Sequence, residues 1–177
     1  GPKGVGALYV RAGVRLTPLL AGGEQERGIR PGTENVPGIA GLGAAAELLE
    51  LDRAETAGRV RELAGRLRDQ IAAIPDLHIN TPADGAVPHI LNVTIRGVRG
   101  ETLLHRLELD GIYVSTGSAC HSHNPQPSHV LLAIGLGADA AQSSLRFSLS
   151  RFTTRQEVDV TAQVLRAAVA ELRALVR

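Results

Sequence analysis

Apolar and small residues recur at helical spacing from Pro37 to Ile74, and no other feature constrains the fold of this chain as strongly. Ile39, Leu42, Ala46 and Leu49 carry the first part of the pattern, and Val60, Leu63, Ala64, Leu67 and Ile71 the second. One long or once-broken helix is expected, a bridge between two domains, ended at Ile74-Pro75. Upstream, AGGEQERGIRPGTEN fills residues 21–35, with glycines at 22, 23, 28 and 32 and a proline at 31. No regular element tolerates that density, so this stretch is a loop. The first residues, GPKGVGALYV, read as a Gly/Pro turn running into a strand from Gly6 to Val10.

Beyond the helix the pattern alternates. Strands are expected at Leu77–Asn80, Ile90–Ile95 and Ile112–Ser115, with a helix at Glu101–Leu109 ended by Asp110-Gly111. The loop GSACHSHNPQP then leads to a helix from Ser128 to about Gly135. Residues 144–150 alternate strictly: Leu145, Phe147 and Leu149 on one face, Ser144, Arg146, Ser148 and Ser150 on the other. A last helix from about Thr154 to Val176 sets Val158, Leu165, Val169, Leu172 and Val176 on one stripe. Strands and helices interleave irregularly, which makes residues 75–177 an α+β domain. The expected organisation is therefore residues 1–36, a connecting helix over 37–74, and a small C-terminal domain over 75–177.

Charge and composition exclude several classes of function. Nineteen Lys and Arg against eighteen Asp and Glu leave a formal net charge of +1, no electrostatic case for nucleic acid. Tyr9, Tyr113, Phe147 and Phe152 are the only aromatics, too few for a base-stacking platform. No apolar run approaches a membrane span and no signal-peptide pattern opens the chain. The lone cysteine has no internal disulfide partner, which suits a reducing cytoplasm. The chain contains no Met and a single lysine, Lys3, and reads as a fragment.

Three places invite chemistry. Cys120, in S-T-G-S-A-C-H-S, is flanked by Ser, Gly, His and Asn rather than by core-building residues. A buried thiol acting as a small hydrophobe is the plain alternative to a nucleophile. An unshifted thiol has a pKa of about 8.5, so His121 and His123 are at hand to activate it. Cys120, His121, His123 and His129 also suit zinc by ligand type, but no paired Cys-x-x-Cys or His-x-x-x-His framework accompanies them. No metal is assigned. The loop ending at Asn35 offers backbone amides, the Thr33 hydroxyl, Arg27 and Arg30 to a phosphate at the start of the long helix. Helix capping by Thr33 or Asn35 explains the same residues. Arg146 is either a solvent-facing strand arginine or a bidentate fork for a carboxylate.

Five stretches together carry a resemblance: GPKGVGALYV, GGEQERGIRPGTENVPGIAGLG, STGSACHS, PSHVLLAIGL and SSLRFSLSRFTTRQEVD. In this order, from residue 1 to about 159, they resemble the cysteine desulfurases, a class V branch of the fold type I pyridoxal-phosphate enzymes. The resemblance implies the C-terminal small domain of such an enzyme, a long connecting helix, and a remnant of the large cofactor domain in residues 1–36. It implies pyridoxal 5'-phosphate as cofactor and L-cysteine as substrate. Cys120 would receive sulfur as a persulfide and pass it to an acceptor or iron–sulfur scaffold protein. Thr33, in R-x-G-T-x-N, would bind the cofactor phosphate of the other subunit of a homodimer. Arg146, in S-x-R-F-S, would hold the substrate α-carboxylate. The segments A-C-H-S, R-P-G-T-E-N and Q-P-S-x-V-L-L are also similar to selenocysteine lyases, which share the architecture. A non-catalytic domain that binds an acceptor protein is the alternative from another class.

One departure from the family pattern has a direct consequence. The Schiff-base lysine of the family lies upstream of G-P-K-G, in a Ser-x-His-Lys sequence that this chain does not contain, and Lys3 is not its equivalent. The purified chain mixed with pyridoxal phosphate is therefore expected to give no stable borohydride-reducible adduct and no alanine from cysteine. A yellow, reducible adduct at Lys3 accompanied by turnover would refute this.

Overall fold

The computed structural model describes residues 1–116 and 127–175, and the chain divides into two compact units, residues 1–53 and 54–177. In the first unit the Gly-rich stretch turns through a short 3-10 segment at Gln25–Gly28 and then enters α1, Val36–Ile71. Asn35 caps this helix, its Oδ1 accepting the Gly38 N–H at 3.1 Å while its carbonyl accepts from Ile39 at 2.9 Å. Asp52, at φ −128° and ψ 15°, breaks the helix beside the boundary of the units. The once-broken helix is the form adopted, ending three residues before Ile74.

The strand expected over residues 6–10 does not form. Leu8 and Tyr9 are 73% and 87% exposed, and no strand among the described residues pairs with them. An extended segment becomes a strand only when a neighbour takes up its backbone N–H and C=O groups, which local sequence does not provide. The apolar residues in the first half of α1 also remain open to solvent, Ile39 and Leu49 by about half.

The second unit is α+β. After the C-terminal half of α1 come β1 (Leu77–Ile79), β2 (Ile90–Ile95), α2 (Gly100–Glu108), α3 (His129–Ala133), α4 (Ala138–Gln142), β3 (Ser144–Ser148) and α5 (Arg155–Leu175). The described strands form one antiparallel sheet in the order β1-β2-β3, with Leu77 opposite Ile95 and Val93 opposite Leu145. Leu91, Val93 and Ile95 of β2 share the buried face with Leu145 and Phe147 of β3. Val60, Leu63, Leu67 and Ile71 of α1, Leu103 and Leu107 of α2, and Val158, Leu165 and Val169 of α5 complete that core. Burying each such side chain contributes about 1.5–3 kcal/mol, so this face dominates the unit's stability. The second part of the expected α1 stripe and the α5 stripe are buried, except that Ala64 and Leu172 are half-buried and Val176 lies outside the described residues; the first part of the α1 stripe is not buried.

Ser144 corrects the simple alternation. It stands on the polar face yet is 1% exposed, because α4 covers it. Its hydroxyl donates to the Ala140 carbonyl at 2.7 Å, so the Thr94 hydroxyl, 2.8 Å away, donates to Ser144, and Thr94 accepts from the Asn80 amide at 2.9 Å. The chain of donors runs one way and satisfies both buried hydroxyls. No helical signal marks residues 138–142 in the sequence, because five residues are too few to show a period. The expected strand at residues 112–115 shrinks to a single bridge between Ser115 and Arg146.

No helix among the described residues is long and apolar enough to cross a membrane. Two predictions follow from the packing. A Cβ on Gly100 would sit 2.9 Å from the carbonyl oxygens of both Gln142 and Ser144, which are backbone and yield little. Gly100→Ala is expected to destabilise the second unit by roughly 1–3 kcal/mol in denaturant unfolding; an unchanged midpoint would show that the approach is looser. Asp159 of α5 accepts from Arg66 through two bonds, at 2.6 and 3.0 Å, and from Gln70 at 2.7 Å. Chiefly through Arg66 and then Gln70, its carboxyl is held at about 2, below the ordinary 3.8. Its contribution is thus complete above about pH 4 and lost as pH falls toward 2. Asp159→Asn should flatten the fall of thermal midpoint over that window, and a parallel fall in both proteins would refute the assignment.

Candidate active site

Within the second unit, the site is built on the outer edge of β3. Arg146 lies opposite Asn92 of β2 on one side and Ser115 on the other. The Arg146 N–H donates to the Ser115 carbonyl at 2.7 Å, and the Ser115 N–H donates back to the Arg146 carbonyl at 3.1 Å. The side chains share the polar face of the sheet, where Arg146 Nη2 donates to Ser115 Oγ at 3.3 Å. Arg146 is exposed, and its guanidinium has no other hydrogen-bond partner among the described residues. A guanidinium has five N–H donors, so among the described residues most of this fork is unclaimed and suits a carboxylate. Asn92 does not compete for it, since its amide donates to the Leu145 carbonyl at 3.1 Å and its Oδ1 accepts from Asn80 at 2.7 Å.

Cys120, His121 and His123 lie outside the described residues. His129 opens α3 and is exposed; among the described residues no three His, Cys, Asp or Glu side chains gather as a metal site.

In the first unit, the loop before α1 spends much of its polar capacity on itself. Arg30 Nη1 donates to the carbonyls of Gly32 at 3.0 Å and Thr33 at 3.1 Å, and the Gly32 N–H donates to Gln25 Oε1 at 3.2 Å. Gly32 sits at φ +98°, a left-handed conformation that favours glycine. The Gly38 amide, part of the anion-binding potential expected at the helix start, is taken by Asn35. The Thr33 hydroxyl is exposed and without a partner among the described residues, and fits a phosphate oxygen as a single donor; Arg27, also exposed, has no hydrogen bond among the described residues either. Sequence reasoning missed the self-bonding of Arg30 and the pairing of Arg146 with Ser115. Both are set by backbone geometry that no motif encodes.

A groove of about 580 Å³ also opens beside Tyr113 and the start of α5. Its carboxylates are already engaged, Asp110 by Arg106 at 2.6 Å and Glu157 by the Thr154 N–H at 2.7 Å and hydroxyl at 2.9 Å. The Thr154 backbone N–H, followed by its hydroxyl, holds the Glu157 carboxyl below its usual range, so it is a helix cap.

Residues 1–160 match the family described as aminotransferase class-V. The chain is 49% identical over 179 residues to a cysteine desulfurase of Trichormus azollae, covering 98% of this chain and 44% of that protein. It is 44% identical over 175 residues to cysteine desulfurase IscS 1 of Archaeoglobus fulgidus, covering 99% and 46%. A solved NifS-like protein matches 92% of the chain with a TM-score of 0.82 and 36% identity, over 41% of its own length. The chain belongs to the aminotransferase class-V family, is similar to cysteine desulfurases, and spans less than half the length of the curated relatives it matches.

Proposed function

We propose that this chain is the sulfur-handling part of a cysteine desulfurase that converts L-cysteine to L-alanine. Residues 75–177 would be the small domain of a fold type I enzyme, and residues 1–36 part of its large cofactor domain, with the helix over 37–74 connecting them. The observation that carries the reading is the open guanidinium of Arg146, paired with the residue from which the chain runs on to Cys120. A carboxylate fork next in the sheet to the stem of a cysteine segment supplies two of the groups this reaction needs.

Arg146 holds the α-carboxylate of the substrate through charge-assisted bonds. The Cys120 thiolate attacks the substrate sulfur, so an S–S bond forms as the substrate C–S bond breaks. The electron pair of that bond stays with the substrate carbon, a proton completes L-alanine, and Cys120 is left as a persulfide. Pyridoxal phosphate, when bound, supplies the electron sink for bond changes around the substrate α-carbon. The Thr33 hydroxyl donates to its phosphate across a homodimer. Lys3 does not anchor it, so the anchoring lysine lies outside these residues. An acceptor or iron–sulfur scaffold protein then takes the sulfur, in the cytoplasm that a lone, undisulfided cysteine suits. Leu8, Tyr9, Leu19 and Leu20, all mostly exposed, suit a unit that buries this surface against more protein.

The test uses the enzyme that contains this chain together with the anchoring lysine. Cys120→Ala should bind cofactor and cysteine normally and unfold at the same temperature, but lose sulfur release by roughly 10³-fold or more. Near-full activity on cysteine would sink the desulfurase reading. Activity kept on selenocysteine alone would turn the assignment toward a selenocysteine lyase, since a selenolate leaves more readily. Lowered stability with chemistry intact would make Cys120 a structural residue.

A further inference from the structure

An exposed arginine on a strand samples many rotamers, and a two-bond grip on a carboxylate uses only those that aim the fork correctly. Something must narrow the choice. For Arg146 the only hydrogen-bond partner among the described residues is Ser115, whose Oγ accepts from Nη2 at 3.3 Å. The contact is not incidental to a mobile surface. Two backbone bonds, at 2.7 and 3.1 Å, hold these residues directly opposite one another in the sheet. Asn92, on the other flank of Arg146, is locked by Leu145 and Asn80 and forms a fixed wall.

We infer that Ser115 is a positioning residue for the substrate carboxylate: its hydroxyl holds the Arg146 guanidinium in the rotamer that presents the fork. This inference rests on the reading of Arg146 as the carboxylate site and adds a residue to it. The hydroxyl takes one of five N–H donors and leaves four, enough for bidentate binding. The backbone bonds of residue 115 do not depend on its side chain, so a substitution there alters the aim of the arginine without dissolving the bridge. Ser115 touches the arginine and acts on substrate only through it.

The experiment compares Ser115→Ala, Ser115→Thr, Arg146→Ala and the Ser115→Ala/Arg146→Ala double variant in the pyridoxal-phosphate-loaded enzyme. It reads KM and kcat for L-cysteine and the inhibition constant of 3-mercaptopropionate, a carboxylate without the amino group. Thermal unfolding is measured alongside. Ser115→Ala is expected to raise both KM and the inhibition constant roughly 2- to 10-fold, the worth of one hydrogen bond, with kcat within about 2-fold. Ser115→Thr, which keeps the hydroxyl, should restore both to within about 2-fold of the parent. In the Arg146→Ala background the alanine at 115 should add nothing, because the group it positions is gone. If Ser115→Ala leaves both constants unchanged while Arg146→Ala raises them, the positioning inference is overturned and the carboxylate reading stands. If Arg146→Ala itself changes neither, the carboxylate reading fails and this inference with it. A fall in kcat alone, or full additivity in the double variant, also overturns the inference, since Ser115 would then act elsewhere. Loss of stability in Ser115→Ala without rescue by Ser115→Thr assigns the residue to the fold and overturns it as well.

Discussion

The second unit depends on β2. It is the one described strand paired along both edges, with β1 on one side and β3 on the other. One of its faces, Leu91, Val93 and Ile95, is fully buried against helices from both ends of the unit's sequence. That burial fixes the register of β3, because a slip of one residue would turn Leu145 and Phe147 outward and Arg146 into the core. An arginine cannot be buried unpaired at any cost the unit can bear. The position of the candidate carboxylate fork is thus a consequence of hydrophobic packing on the opposite side of the sheet.

The polar face does a different job at each end. At Thr94 and Ser144, α4 covers the sheet and the hydroxyls are satisfied by a one-way chain of donors ending on the Ala140 carbonyl. Two residues further along β3 that cover is gone, and Arg146 is exposed. Covered polar groups need internal partners, whereas an uncovered guanidinium retains donors for a ligand. The contrast between Ser144 and Arg146, alike in facing but opposite in burial, is what makes Arg146 a candidate binding group.

Much of this was legible in the sequence. The bounds of β2, the strict alternation at residues 144–148 and the stripes on α5 and the second half of α1 all show in the apolar period, because each buries one continuous face. The expectation failed where order comes from contact. Residues 6–10 have the composition of a strand but no partner strand among the described residues, and α4 has no period yet forms under the sheet. At the start of α1 the sequence offered Thr33 or Asn35 as the cap, and backbone geometry chose Asn35, leaving the Thr33 hydroxyl without a partner among the described residues.

The sequence by itself determined the family and the α+β class of the second unit, and it singled out Cys120, Thr33 and Arg146 as candidate chemical groups. These follow from residue type and order, which local physics and resemblance can read. Only the tertiary structure decided that Arg146 is open while Ser144 is closed, that Arg30 turns back on its own loop, and that Ser115 stands against Arg146. Residues 115 and 146 are brought together by antiparallel pairing across α3 and α4, and pairing between distant segments is set by the shape of the whole core rather than by either segment alone.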